Sequence, residues 1–428
     1  MPRLEPLGRV RARLRVPGDK SISHRALLLN ALAEGEARVR GLAPGKDVAS
    51  SAAALRALGR TVAPVPGGGV RVAGGGAWRA THPIDCGNSG TTARLLLGIL
   101  APRAEGVVTL TGDASLSARP MARVVEPLRA MGAVIEGEGR LPLAVSGGHL
   151  RGVEHRIPVA SAQVKSALLL AGLAADGETA VEEPAPSRDH TERMLAAMGA
   201  AIRREGRRTV VGPGGLQAID VDIPGDLSSA AFFLALAAAR PGSEVVVEDV
   251  GLNPTRAGFL DWLSEMGAEV EIELRSEDPE PRGDVRVVGR PLRGIEVRPE
   301  TVPRGIDELS LLAVVATRAE GETRISGAAE LKVKESDRIA TIAAGLSAMG
   351  ARIEVADDGF RVSGPTRLTG GAVDAAGDHR IAMALAVAAA LAVGPTDLAG
   401  AEWIDVSYPG FLEELAALGR GAPPAARP

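Results

Sequence analysis

The chain has 428 residues, long enough for two domains with full hydrophobic cores, and its net charge of −4 leaves no basic footprint for nucleic acid. Aromatic residues are only 2%, which removes stacking platforms for single strands and leaves Ala, Leu, Val and Ile to build the cores. The single cysteine, Cys86, excludes an intramolecular disulfide and a cysteine-based metal cluster, and the six histidines show no metal-ligand spacing.

In chain order, Met1-Pro2-Arg3-Leu4-Glu5 does not read as a secretory signal, and apolar runs such as residues 381–393 are too short to span a bilayer. A soluble cytoplasmic protein is expected. Pro17-Gly18-Asp19-Lys20-Ser21-Ile22-Ser23-His24-Arg25 then delivers a lysine, two hydroxyls and an arginine ahead of an apolar helical run at 26–32. The first amides of a helix lack internal partners and carry the positive end of its dipole, so Lys20, Ser21 and Arg25 read as a phosphate site. Met alone, such a start would equally be serines that cap and charges that are solvated.

Five further polar turns precede apolar helices, around residues 87–91, 161–163, 225–229, 305–308 and 377–380. The run from Cys86 through Gly90 to Thr92 puts small residues where backbone can approach an anion, with Cys86 read as a buried packing residue. Arg119, followed by Pro120, adds a cation. Ser161-Ala162-Gln163 offers a hydroxyl and an amide suited to a polyhydroxylated ligand. Residues 187–191 look like a helix cap with an extra arginine, Arg188, and residues 276–283 like an exposed loop. The carboxylates come late: Asp307, then Glu335 within residues 331–338, where helical geometry puts Lys334 and Arg338 on one face. A carboxylate among cations keeps a low pKa and can exchange protons with a bound ligand. Asp378-His379-Arg380 reads as a cap bearing another cation.

Residues 128–135, 195–202, 263–270 and 346–353 all read Leu-x-x-Met-Gly-Ala-x-Ile/Val, residues 55–62 are a looser copy, and 415–419 a truncated sixth. Each predicts a helix closed by glycine and followed by a strand. Strand-like runs such as 107–111, 244–250 and 323–326 lie between. With the polar turns recurring roughly every 60–80 residues, the unit is strand, helix, strand, helix and two strands, six times over, in two pseudo-symmetric α/β domains. The expected boundaries are 15–224 for one domain, 1–14 plus 225–420 for the other, and a disordered tail at 421–428. Only five of the 49 basic residues are lysines, Lys20, Lys46, Lys165, Lys332 and Lys334. Lysine can carry a proton where arginine cannot, so Lys20 and Lys334, in the densest polar motifs, read as functional.

Residues 17–25, Gly87-Asn88-Ser89-Gly90-Thr91, residues 331–338, Asp378-His379-Arg380 and Ser407-Tyr408-Pro409, in this order, resemble the 5-enolpyruvylshikimate-3-phosphate synthase family over essentially the whole chain. The resemblance implies two domains of three βαβαββ units each, an inside-out α/β barrel with helices inside and strands outside, closing over the substrates. It implies transfer of the enolpyruvyl group of phosphoenolpyruvate to the 5-hydroxyl of shikimate 3-phosphate, by a monomer without metal or organic cofactor. Lys20, Ser21, Arg25, Ser161, Ala162, Gln163, Asp307 and Lys334 would hold shikimate 3-phosphate, with Arg188 adding to its phosphate site. Lys20, Gly90, Arg119, Gln163, Arg338 and Arg380 would hold phosphoenolpyruvate. Asp307 would be the base, Glu335 the proton donor and acceptor, and Lys20 an aid to proton transfer. Two departures stand out: Val406 occupies a position where many members carry lysine, and Ala162 replaces the second serine of a Ser-Ser-Gln pattern. The alternatives are the sister transferase acting on UDP-N-acetylglucosamine, which uses a loop cysteine as general acid, and a non-catalytic anion-binding repeat protein.

Overall fold

The computed structural model describes residues 1–420, and the tail expected at 421–428 lies outside the described residues. Two compact units are present: Gly18–Ile223, and Met1–Pro17 together with the chain from Pro224 onward. Each has its own apolar core. No helix among the described residues is long and apolar enough to cross a membrane.

The repeating element shows clearly at Ile84–Asp85, Gly90–Leu100, Val107–Thr111, Ala122–Ala130, Val134–Glu136 and Leu143–Ser146, which are strand, helix, strand, helix, strand and strand. The first two strands pair in parallel, Ile84 beside Leu110, so a crossover helix must join them. The last two are antiparallel hairpin partners, and Leu143–Ser146 also pairs antiparallel with Val107–Thr111. The same strand order recurs in four other four-stranded sheets.

Two of those sheets borrow their opening strand. In the 18–223 unit Val221–Asp222, the last strand in sequence, lies parallel to Glu36–Arg40 and opens the first repeat. In the other unit Arg11–Leu14 lies parallel to Glu244–Gly251. The last repeat of that unit is completed by Arg3–Leu4, antiparallel to Thr396–Ala399.

The helices that follow the polar turns are largely buried and mostly apolar. All of His379–Leu391 is buried, while the strand Glu36–Arg40 alternates exposed and buried residues. A helix without a polar face belongs inside and a strand with alternating faces belongs outside. Small residues let the inner helices approach closely: a Cβ on Gly98 would fall 2.1 Å from Ala167 O on the neighbouring helix. The scarce aromatics gather in the second unit, where Phe232, Phe233, Tyr408 and Phe411 pack with ring centres 5.4–6.1 Å apart. The glycine-closed helix ends occur as read: Gly267 takes φ 106° and its N–H bonds back to Ser264 O.

The exposed loop expected at 276–283 is the tip of a hairpin: Ser276 pairs with Arg282, Glu277, Asp278 and Pro279 are exposed, and Glu280 alone turns inward, accepting from Asn253 Nδ2 at 3.0 Å.

Candidate active site

The helix expected from residue 26 begins earlier, at Lys20, and runs to Leu32. Asp19 caps it, its carboxylate accepting the Ile22 N–H at 2.8 Å, so an internal carboxylate takes an amide that the sequence reading left for an external anion. Lys20 Nζ lies 3.1 Å from Asp47, a residue the sequence reading did not single out. Arg25 is 2% exposed and spreads its guanidinium over Thr191 Oγ1 (2.6 Å), Ser21 O (3.0 Å) and Ser166 Oγ (3.0 Å). Arg188 reaches Ser21 Oγ at 3.5 Å, so Lys20, Ser21, Arg25 and Arg188 form one basic corner.

His24, between them, bonds Ser51 through Nδ1 at 2.7 Å; Ser51 bonds Thr92, and Thr92 donates to Ser89 Oγ, each at 2.7 Å. This buried chain ties the Lys20 helix to the start of the Gly90 helix. Burial lowers the His24 pKa to about 3, with Lys20 and Arg25 adding to the effect, so the ring is neutral at physiological pH.

Gln163, near the start of the Ala162–Gly172 helix, accepts from Arg94 Nη1 at 2.7 Å and donates to Thr91 Oγ1 at 2.9 Å. Arg94 is absent from the sequence-based set because it falls just past the Gly87–Thr91 motif, among apolar residues, and its partner Gln163 lies 69 residues away. A Cβ on Gly90 would stand 2.5 Å from Arg94 Nη1, the flexible end of that side chain, and would displace it. Arg119 bonds Asn88 Oδ1 at 2.6 Å, and Asn88 is fixed in turn by Asp113 at 2.8 Å. Ser161 caps its helix through Val164 N, and Ala162 brings only a methyl group. Cys86 is fully buried and its thiol is pushed up to about 12 by burial, with Asp85 adding to it, so it does not serve as a general acid.

In the second unit the expected helical face of residues 332–338 is not what forms. Residues Ala329–Val333 make a 3-10 turn, Lys334 is extended, and the helix Arg338–Ala348 starts only after Asp337 caps Ile339 and Ala340. The residues are gathered by charge instead. Arg338, 1% exposed, bonds Asp378 Oδ2 at 2.7 Å, Glu335 Oε2 at 2.6 Å and Asp307 Oδ1 at 3.1 Å. Asp307 also faces Lys334 at 3.6 Å and Arg380 at 3.6 Å. Burial alone would lower the Arg338 pKa, but the carboxylates of Asp378, Glu335 and Asp307 outweigh it and raise it. Burial would raise the Asp378 carboxyl, and Arg338 outweighs that in turn and holds it low. Asp378 is therefore both cap, to Arg380 N, and counter-ion. Glu308, given no role when the turn at 305–308 was read, bonds Arg380 at 3.4 Å and accepts from Ser228. Val406 ends a 3-10 turn and brings no cation, and the buried Tyr408 donates to Glu414 at 2.7 Å.

Inner helices, outer four-stranded sheets and clustered cations with carboxylates define an enolpyruvyl-transferase type of α/β protein. The enolpyruvyl transferase NikO from Streptomyces tendae has this fold, at 20% identity and TM-score 0.77 over 97% of both chains. The chain belongs to the EPSP synthase (3-phosphoshikimate 1-carboxyvinyltransferase) family, whose sequence model matches residues 4–415. It is 52% identical over 422 residues to the 3-phosphoshikimate 1-carboxyvinyltransferase of Synechococcus sp. (strain JA-3-3Ab), covering 96% of this chain and 95% of that one. The counterpart in Alkalilimnicola ehrlichii is 51% identical over 418 residues, 96% of this chain and 94% of the other. The EPSP synthase of Acinetobacter baumannii superposes with TM-score 0.87 at 40% identity, covering 99% of this chain and 98% of that one.

Proposed function

We propose that the basic corner of the 18–223 unit binds substrate anions while the carboxylates around Arg338 carry the proton transfers of the family's reaction. The chain is a transferase of the shikimate pathway: it moves the enolpyruvyl group of phosphoenolpyruvate to the 5-hydroxyl of shikimate 3-phosphate and releases phosphate. Lys20, Ser21, Arg25, Ser161, Ala162, Gln163, Asp307 and Lys334 hold shikimate 3-phosphate, with Arg188 at its phosphate. Lys20, Gly90, Arg119, Gln163, Arg338 and Arg380 hold phosphoenolpyruvate. Asp307 takes the proton of the 5-hydroxyl as that oxygen attacks C2 of phosphoenolpyruvate, and Glu335 gives a proton to the methylene carbon, forming a tetrahedral adduct. Phosphate then leaves, and Glu335 takes a proton back from the new methyl group to restore the double bond. Lys20 helps move protons near the departing phosphate.

The observation that supports this division best is Asp307 lying within 3.6 Å of Lys334, Arg338 and Arg380, a base already surrounded by the cations that would attract both substrates. We also infer a cytoplasmic monomer. Phosphate release measured separately with each acceptor tests the assignment: turnover is expected with shikimate 3-phosphate and not with UDP-N-acetylglucosamine, and the reverse pattern would overturn it.

A further inference from the structure

Among the described residues Lys165 is the one buried lysine, 3% exposed, on the first turn of the Ala162–Gly172 helix. Its Nζ stands 2.6 Å from Glu183 Oε2 and 2.7 Å from Glu192 Oε1. A compact ammonium lets two carboxylates converge on one point, which the planar fork of arginine does not. Burial alone would lower the Lys165 pKa, and Glu192 and Glu183 outweigh that, so the ammonium stays charged.

The second oxygen of Glu183 accepts the backbone N–H of Ser161 at 3.3 Å and the hydroxyl of Ser187. Glu192 lies on the His190–Ala197 helix beside Thr191, whose Oγ1 accepts from Arg25 Nε and bonds Ser166 Oγ at 2.6 Å. Three segments therefore converge on one nitrogen: the Ser161 turn, the loop of Ser187 and Arg188, and the helix start that grips Arg25. A buried ion pair adds little to stability compared with an apolar core of the same volume. What the charges supply here is direction.

We infer that Lys165, with Glu183 and Glu192, is a positioning cluster for shikimate 3-phosphate, locking Ser161, Arg188 and Arg25 in the geometry that receives it. The inference rests on the reading that those three residues hold this substrate. The cluster touches no reacting atom.

Calorimetric titration of the full chain with shikimate 3-phosphate alone, paired with steady-state kinetics, tests it. Glu183→Gln keeps the side-chain volume and removes the charge, so its packing is preserved. Losing a charged hydrogen bond here is expected to weaken shikimate 3-phosphate about tenfold in Kd and KM, with the KM for phosphoenolpyruvate and kcat shifting less than about threefold. Lys165→Met is expected to do the same; should it not fold, Glu183→Gln carries the test alone. A lowered melting temperature with shikimate 3-phosphate affinity unchanged would mean the cluster is only structural, and would overturn the inference. Ser161→Ala separates the two levels. If it weakens shikimate 3-phosphate and Glu183→Gln does not, the inference fails and the binding assignment stands. If Ser161→Ala changes nothing, the assignment fails and the inference falls with it.

Discussion

Asp307, Glu335 and Asp378 all lean on Arg338, so each carboxylate has a cation to answer for its charge. Replacing the proposed base alone, by Asp307→Asn, is expected to cut kcat by about 10²–10⁴ while circular dichroism stays unchanged; near-normal turnover would remove Asp307 from that role. Gly90→Ala drives a methyl toward Arg94 Nη1, the flexible end of the group that orders Gln163. The KM for phosphoenolpyruvate is expected to rise severalfold with melting unchanged, and an unaltered KM would show that Arg94 does not order Gln163. His24 gives a pH dependence with a definite sign. Above its unfolded pKa of about 6.5 the ring is neutral in both states and contributes no slope. Between there and its folded value of about 3 only the unfolded chain binds the proton, so stability falls by about 1.4 kcal/mol for each pH unit of acidification. Urea titrations at pH 7, 6 and 5 should show this extra slope, and His24→Asn should lack it. Of the site, the residues inside short motifs were legible before the fold was known. The pairings of Arg94 with Gln163, Asp47 with Lys20, Glu308 with Arg380 and Glu183 with Lys165 were not, because the partners lie 69, 27, 72 and 18 residues apart and no local spacing announces them.

Among the elements, the glycine-closed helix ends and the polar turns were readable because both are local: a left-handed residue such as Gly267 and a cap such as Asp226 or Ser161 depend on neighbours a few positions away. The start at Arg338 was misread because the four-residue spacing of Lys334 and Arg338 imitates a helical face, whereas the cap at Asp337 decides where the helix begins. Two-residue strands such as Val221–Asp222 carry no periodicity at all. The close crossing of the Gly90–Leu100 and Ala162–Gly172 helices is the element-scale weak point. At Gly98 an added Cβ meets backbone at Ala167, which no rotamer change relieves. Gly98→Ala is expected to cost about 2–3 kcal/mol and lower the melting temperature by several degrees; a thermal scan overlaying the parent would refute the close packing.

For the whole molecule, the 18–223 unit holds its own core and pairs its strands internally, including Val221–Asp222 with Glu36–Arg40. Expressed alone, residues 18–223 should unfold cooperatively in urea, followed by its one tryptophan, Trp78, and should show no turnover because Asp307 and Glu335 are absent. Ending the fragment before Val221 should lower the midpoint, since the edge of Glu36–Arg40 is then bare. The full chain should run as a single species near 43.9 kDa in light scattering.

The borrowed strands also set a timetable for synthesis. Arg11–Leu14 cannot pair until Glu244–Gly251 has been made, and Arg3–Leu4 waits for Thr396–Ala399. At about 5–20 residues per second, Arg3–Leu4 waits roughly 20–80 s for its partner, while the 18–223 unit can be complete well before then. Arg3–Leu4 is thus the last strand of its unit to be put away, and nascent chains stalled near residue 300 should lose it to protease while the 18–223 unit resists.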